Sequence, residues 1–186
     1  MINEKEKACP MTCELIDFSH TLAGEMLSQC KYPWEALPKI KECITKLIET
    51  LDKDKYIEIS KDVWVAKSAS VAPSAMIVGP TIICENAEIR HCAYIRGSVL
   101  VGEGAVVGNS CELKNAIISD LAQIPHYNYV GDSILGYKAH MGAGAVASNF
   151  RLDKKNINVG RGEDKISTVK SCCERGGSGI SIFAYV

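Results

Sequence analysis

Two periodicities predict an all-β solenoid, in which a parallel β-helix of hexapeptide repeats follows an N-terminal α-helical cap. From Val65 to Leu113 every sixth residue is Val, Ile or Leu, and the residue four positions after each is small or medium-sized. A period of six fits neither the 3.6-residue helix nor the two-residue strand repeat. It is typical of hexapeptide β-helices. From Ile40 to Leu51 the apolar residues instead follow helical spacing.

The N-terminal part divides into a tail and a cap. Residues 1–11 are rich in charge, which predicts a disordered tail. Residues 12–52 are predicted to form the helical cap, with one short helix at 21–30 and a longer one that has Pro38 in its first turn. We expect these helices to cover an open end of the solenoid, since an apolar interior needs a cover. A surface for a partner protein is the alternative.

The solenoid itself is predicted over residues 63–150. One large aliphatic residue per strand fills the interior, and the small residue lets the chain bend at a corner. Three hexads make a coil of 18 residues. The period shortens to five after Leu113 and again after Val130, yet returns to six each time. The pattern therefore predicts about five coils.

The last segment, residues 151–186, loses the period of six and is predicted to be a loop and a non-repeat tail. It contains a linker-like Gly-Gly-Ser-Gly stretch. Whether residues 169–186 fold is left open by the sequence.

Composition excludes several classes of function. The net charge of −1, from 21 basic and 22 acidic residues, gives no reason to expect nucleic acid or an anionic membrane as partner. No apolar run is long enough for a membrane span, and the N-terminus lacks the apolar core of a signal peptide. Nine cysteines, an odd number with no CxxC pair, predict reduced thiols in a cytoplasmic protein and no metal site.

The spacing of three polar residues within the repeat, Arg96, Lys114 and His126, predicts a functional face. Arg96 and Lys114 both point outward and are one coil apart, so they stack on the same face. A phosphate could bridge the two cations. A solvated pair, or pairing with Glu112, is the alternative. His126 lies two faces further on and could meet these cations of a neighbouring copy if three solenoids pack together; imidazole suits general-base work.

Three segments resemble a known family. NSCELKNAIIS (109–119), HYNYVGDSILG (126–136) and HMGAGAVASNF (140–150) are similar to the acetyltransferase domain of the bifunctional UDP-N-acetylglucosamine pyrophosphorylase/glucosamine-1-phosphate acetyltransferase. The resemblance implies a left-handed β-helix and a homotrimer. It also implies transfer of acetyl from acetyl-CoA to the amine of glucosamine-1-phosphate, a step of UDP-N-acetylglucosamine biosynthesis.

The same resemblance implies roles for individual residues. His126 takes the position of the family's catalytic base, and Glu112 would orient its imidazole. Ala143 takes a position whose backbone lies beside the thioester of acetyl-CoA.

The substrate-binding positions of the family are also occupied. Arg96 and Lys114 would hold the sugar phosphate, while Tyr129, His140 and Asn149 would contact the sugar. His140 replaces an asparagine of the family, so an acceptor other than glucosamine-1-phosphate, and O- rather than N-acetylation, stay open.

Other departures concern the two ends. Residues 1–62 hold no Gly-rich nucleotide loop, so no UTP chemistry is predicted. The chain has Asn-Phe-Arg-Leu at 149–152 where the family has Asn-Tyr-Asp-Gly. Relatives continue with further coils that help to hold acetyl-CoA. We therefore expect the last residues to be a frameshifted or foreign end and the acetyl-CoA site to be incomplete.

Two other functions remain as alternatives. A zinc-dependent γ-type carbonic anhydrase shares the fold class, but among His91, His126 and His140 the chain lacks that family's His-x4-His pair. A non-catalytic or regulatory scaffold derived from the nucleotidyltransferase/acetyltransferase family is the second alternative, and binding of acetyl-CoA would distinguish it from the enzyme.

Overall fold

The computed structural model describes residues 11–147 and, beyond them, the backbone of three short strands at 157–159, 167–169 and 181–183. The N-terminal part is helical, and no helix among the described residues is both long and apolar enough to cross a membrane. It contains three α-helices, α1 (Thr12–Leu15), α2 (Gly24–Ser28) and α3 (Ile40–Thr50), with one 3₁₀ turn between α1 and α2 and two between α2 and α3. The turns are Phe18–His20, Pro33–Glu35 and Leu37–Lys39.

Short strands follow the helices and form the solenoid. They are β1 (Tyr56–Ser60), β2 (Val63–Ala66), β3 (Ser70–Val71), β4 (Met76–Ile77), β5 (Thr81–Ile83), β6 (Glu88–Ile89), β7 (Tyr94–Ile95), β8 (Val99–Val101), β9 (Val106–Asn109), β10 (Glu112–Ile118), β11 (Gln123–His126), β12 (Tyr129–Leu135) and β13 (Val146–Ala147).

Strand pairing arranges these strands on three faces. The first face holds β2, β5, β8 and the C-terminal halves of β10 and β12, and β1 joins it as an antiparallel edge strand. The second face holds β3, β6, β9 and β11. The third face holds β4, β7, the N-terminal halves of β10 and β12, and β13. Apart from β1, all these pairings are parallel. The predicted β-solenoid with its N-terminal helical cap is confirmed.

The interior contains the residues that the period of six selected. Ile83, Ile89 and Ile95 of one coil stack below Val101, Val107 and Leu113 of the next, and all are buried in one cluster. The small residues at the corners, such as Ala87 and Ala105, are buried in the same cluster. The aliphatic residues therefore fill the solenoid, while the small ones leave room for the bends.

The two shortenings of the period occur at one corner. Between β7 and β8 this corner contains two residues with positive φ, Gly97 at 91° and Ser98 at 54°. In the next two coils a single residue, Asn115 at 49° and then Asp132 at 46°, makes the same turn. Asn and Asp tolerate this left-handed conformation better than most residues. One corner residue fewer gives coils of 17 residues, as the pairing of Ala116 with Val99 requires.

The helical cap lies against a side of the solenoid rather than over an open end, so the expected position was wrong. The outward residues of the first face are apolar, and all but the partly buried Trp64 of β2 are fully buried. Helix α3 packs across β5, β8 and β10, and its Ile40 and Ile44 are buried. The outward residues that they and the rest of the cap cover are Ile82, Leu100, Ile117 and Ile134.

Burial explains why the cap takes this place. A fully buried Ile or Leu side chain contributes about 1.5–3 kcal/mol relative to exposure, so an uncovered stripe of four would be a large apolar patch. Polar contacts join the cap, and the strand β1 that follows it, to the solenoid. The Asn115 side-chain amide donates to the Leu37 carbonyl at 3.3 Å. The Tyr56 hydroxyl of β1 donates to the Glu85 carboxylate at 2.5 Å.

The segment after residue 147 contains three described strands. Strands β14 (Ile157–Val159) and β15 (Ser167–Val169) pair with each other antiparallel. Strand β16 (Ser181–Phe183) pairs in parallel with β12, with Ile182 opposite Ile134. This part of the predicted non-repeat tail therefore extends the first face.

Candidate active site

The third face carries the two cations predicted from their spacing. The pairing of β7 with β10 places Glu112 opposite Tyr94 and Leu113 opposite Ile95, so Lys114 follows Arg96 one coil on. Both cations have a carboxylate partner. Arg96 Nη1 donates to Glu112 Oε1 at 2.6 Å, and Lys114 Nζ lies 3.8 Å from Asp132 Oδ2.

In the structure both cations are paired within the chain, Arg96 with Glu112 and Lys114 with Asp132, and the bridging phosphate stays a prediction. The hydrogen bond to Glu112 raises the pKa of Arg96 above its ordinary value, so the guanidinium is always charged. Because both pairs are partly exposed to solvent, each stabilises the fold little. An incoming phosphate can therefore displace Glu112 from Arg96 at small cost and gain the bidentate contact that guanidinium offers.

Tyr129 lies on the same face as the cations. Strand β12 places it opposite Glu112, and two residues later Gly131 lies opposite Lys114. A Cβ on Gly131 would approach the Tyr129 hydroxyl to 2.4 Å, which is far closer than atoms allow. Glycine at 131 thus makes room for the Tyr129 ring, which lies along the strand over Gly131, the residue opposite Lys114.

His126 lies at the corner between the second and third faces. It ends β11, opposite Asn109 of the coil before, and its side chain is exposed. Tyr127 makes the turn with φ at 52° and is 66 % exposed. The stretch His126 to Tyr129 therefore interrupts the apolar pattern because it rounds a corner and starts the next face.

Asn128 is a structural residue of this corner that the sequence pattern did not reveal. It is only 2 % exposed, and its side chain binds three backbone groups as well as the Cys111 thiol. The Oδ1 atom accepts from the His126 backbone N–H at 3.0 Å, while Nδ2 donates to the carbonyls of Gly142 at 2.7 Å and Ala145 at 3.1 Å. One buried amide thus joins the His126 corner to the turn of the following coil.

Ala143 lies in that following turn, between Gly142 and Gly144. The Gly144 N–H donates to the His126 carbonyl at 3.0 Å, which is a second hydrogen-bonded connection between this turn and the His126 corner. Ala143 is exposed. The structure therefore brings the predicted acetyl-CoA position into the coil directly above the predicted base.

Of the other two predicted sugar contacts, His140 and Asn149, only His140 lies among the described residues, and it is not on the face of the cations. His140 is exposed on the second face, where its Nδ1 lies 3.3 Å from Gln123 Oε1. His140 pairs with Gln123, the first residue of β11, whereas His126 is the last residue of that strand. The two histidines are therefore placed at opposite ends of β11. Asn149 lies outside the described residues.

Glu112 and His126 are not hydrogen-bonded to each other within the described part of the chain. The Glu112 carboxylate binds Arg96 instead. The role of Glu112 as the partner that orients His126 thus stays a prediction without support from the contacts of a single chain.

The histidines of this region do not form a metal site among the described residues. Within 11–147 and the three later strands, no three His, Cys, Asp or Glu side chains come together as metal ligands would. His91, His126 and His140, the histidines of the carbonic anhydrase alternative, are included in that range.

Comparison with known proteins finds one matching family model and several similar proteins. Residues 77–167 match the GMPPB C-terminal domain family. The chain is similar to the bifunctional protein GlmU of Methanococcus aeolicus, at 31 % identity over 135 residues, which cover 63 % of this chain and 33 % of that protein. The GlmU protein of Methanococcus vannielii is 31 % identical over 142 residues, covering 74 % and 34 %.

The chain thus spans about a third of the length of the curated relatives it matches. These matches confirm the resemblance predicted from the sequence motifs. Among solved structures the chain is similar to the acetyltransferase domain of PglB from Neisseria gonorrhoeae in complex with acetyl coenzyme A. Sequence identity there is 24 %, the TM-score is 0.45, and the match covers 46 % of this chain and 42 % of that one.

Proposed function

We propose that this chain is an acetyl-CoA-dependent acetyltransferase that acts on an amino-sugar phosphate, with glucosamine-1-phosphate as the first acceptor to consider. The likeness to GlmU proteins supports this proposal. The observation that carries it is the corner at His126, where the backbone of this residue is tied through Asn128 and Gly144 to the turn of Ala143 and its imidazole is exposed. We further propose a cytoplasmic homotrimer that serves UDP-N-acetylglucosamine biosynthesis.

The third face would bind the phosphate of the acceptor. Arg96 and Lys114 stand one coil apart, about 5 Å along the axis, which suits two oxygens of one phosphate. Binding would exchange the Arg96–Glu112 ion pair for an Arg96–phosphate pair. Glu112 is then released from Arg96 and becomes available to another cationic or N–H donor, for example an imidazolium.

His126 would act on the acceptor amine. As the amine nitrogen attacks the carbonyl carbon of the acetyl thioester, His126 takes a proton from nitrogen. The C–S bond then breaks, and the thiolate of coenzyme A receives a proton. A backbone N–H of the exposed turn around Ala143, which the Gly144 hydrogen bond joins to the His126 backbone, would stabilise the oxyanion of the tetrahedral intermediate.

A trimer would complete the site. No hydrogen bond or ion pair among the described residues joins His126 to Arg96 or Lys114, so these groups act together if the third face of one copy meets the His126 corner of another. A homotrimer with a three-fold axis places each face against a neighbour's corner in the same way at all three interfaces.

The test is mass spectrometry of the products after incubation of the chain with acetyl-CoA and glucosamine-1-phosphate. We expect the acceptor to gain one acetyl group. Replacing His126→Ala should lower kcat by about a hundredfold or more, because the amine then lacks its base.

The matched control is His91→Ala, an exposed histidine at the same corner two coils earlier, which should leave turnover unchanged. Equal turnover in His126→Ala and the unmodified chain would reject His126 as the base. Absence of acetylated product, together with absence of acetyl-CoA binding by calorimetry, would favour the non-catalytic scaffold.

A further inference from the structure

A second group of reactive side chains lies on the His126 corner, two coils earlier. Ser74 Oγ and His91 Nδ1 are 2.6 Å apart. The other ring nitrogen, His91 Nε2, is 3.2 Å from Cys92 Sγ. Ser74 Oγ also accepts the backbone N–H of Cys92 at 3.2 Å. Serine, imidazole and thiol thus form one continuous hydrogen-bonded chain.

The order of these groups is that of an activated nucleophile. A thiol within hydrogen-bond reach of an imidazole, whose far nitrogen is held by a third group, is the general arrangement for a nucleophile and its base. When the thiol proton moves to His91 Nε2, both ring nitrogens become donors. One then faces the thiolate, and the other faces Ser74 Oγ, which has a free lone pair for it.

Packing does not require this group. All three residues are exposed, and Cys92 has φ at 57°, a left-handed conformation in which cysteine gains nothing over glycine or asparagine. The corresponding corner residues of the next two coils are Ser110 and Tyr127, which confirms that the turn accepts other side chains. The interior is filled by residues of the neighbouring strands instead.

The group is also separate from the proposed acetyltransferase residues. Asn109 lies between the two histidines, since it pairs with His126 above and its side-chain amide donates to the His91 carbonyl below at 3.1 Å. Two coils separate His91 from His126, about 10 Å along the axis. The Ser74–His91–Cys92 cluster is therefore a distinct site on the same edge of the solenoid.

We propose that Cys92 is a nucleophilic thiol that His91 activates and Ser74 orients, and that it exchanges with small disulfides of the glutathione class. His91 Nε2 takes the proton of the Cys92 thiol. The thiolate attacks one sulfur of the disulfide, the old S–S bond breaks as the new one forms, and the released thiolate takes the proton from His91. The product is a mixed disulfide on Cys92, with no net oxidant consumed beyond the disulfide itself.

The experiment is to incubate the reduced chain with oxidised glutathione at pH 7 and to follow each cysteine by peptide mass spectrometry. Cys13 is the internal reference, because it too is an exposed free thiol and no hydrogen bond among the described residues joins it to a histidine. We expect Cys92 to form the mixed disulfide at least about tenfold faster than Cys13, since the thiolate is the attacking species.

Two variants separate activation from exposure. His91→Gln keeps a polar side chain that can hydrogen-bond but cannot take a proton, and should reduce the Cys92 rate to that of Cys13. Ser74→Ala should reduce it several-fold. Cys92 reacting no faster than Cys13, or equally fast with and without His91, would overturn the proposal. Since no acetyl-CoA is present, the result is independent of the proposed acetyl transfer.

Discussion

At the scale of single residues, the buried amide of Asn128 explains how an apolar repeat can carry a polar corner. His126 and Tyr129 were predicted to be functional residues, and in the structure the His126 side chain is exposed at this corner. Asn128 could not be distinguished by pattern, because an inward asparagine and an outward one look the same in sequence. Its role depends on three backbone groups, two of which lie 14 and 17 residues further along the chain.

We expect Asn128→Ala to destabilise the chain. The substitution leaves the His126 N–H without its acceptor, whereas the carbonyls of Gly142 and Ala145 keep their backbone donors. The loss of one buried donor's partner costs about 1–3 kcal/mol. Urea unfolding followed by circular dichroism measures the loss. Acetyl transfer should fall as well, since the corner and the Ala143 turn lose their link.

The neighbouring residue provides the control. Tyr127→Asn changes an exposed side chain and keeps a residue type that tolerates positive φ, so its unfolding free energy should stay within about 0.5 kcal/mol of the original. Equal stability of the two variants would mean that Asn128 does not hold the corner together.

At the scale of elements, the interior strands were predictable and the place of the cap was not. Inward positions repeat every six residues and need no knowledge of other elements. The outward apolar column was present in the sequence as well: Trp64, Ile82, Leu100, Ile117 and Ile134 are spaced by 18, 18, 17 and 17 residues. The shortened coils obscure this spacing, so that a strict count of 18 misses the stripe that the cap covers.

The junction between β1, the cap and the first face predicts a loss of stability at alkaline pH. Burial raises the pKa of the Cys84 thiol from 9.0 to about 12, and burial also raises the pKa of Tyr56 above its ordinary value. Below pH 9 both groups are protonated in the folded and unfolded chain. Between pH 9 and 12 the unfolded chain releases the Cys84 proton while the folded chain keeps it, so stability falls as pH rises.

Thermal unfolding at several pH values from 8 to 11, with a reducing agent present, measures this effect. Cys84→Ala should flatten the decrease of Tm with pH, whatever its own effect on Tm at pH 8. Cys13→Ala, which removes an exposed thiol, should leave the slope as it was. A slope that is the same in all three proteins would contradict the role of the buried thiol.

At the scale of the whole molecule, the cations of the third face and His126 belong to one solenoid, but no hydrogen bond or ion pair among the described residues joins His126 to Arg96 or Lys114. Exposed apolar side chains flank the cations on this face: Met76 at 60 % and Val146 at 63 %. Their positions opposite Tyr94 and Tyr129 make a column on the surface. Such a column is suited to burial against a second copy of the chain. In the proposed trimer, that second copy would supply the missing half of each site.

Mixing two inactive variants tests whether the site is shared between copies. Lys114→Ala removes a cation of the third face and His126→Ala removes the base, so each alone should form defective sites only. After the two are unfolded together and refolded, random trimers contain about one quarter of interfaces with an intact face and an intact corner, so activity should return to about that fraction. A mixture of Lys114→Ala with Arg96→Ala has both lesions on the same face and should stay inactive. Recovery in neither mixture, from trimers verified by light scattering, would mean that His126 and the cations act within one chain.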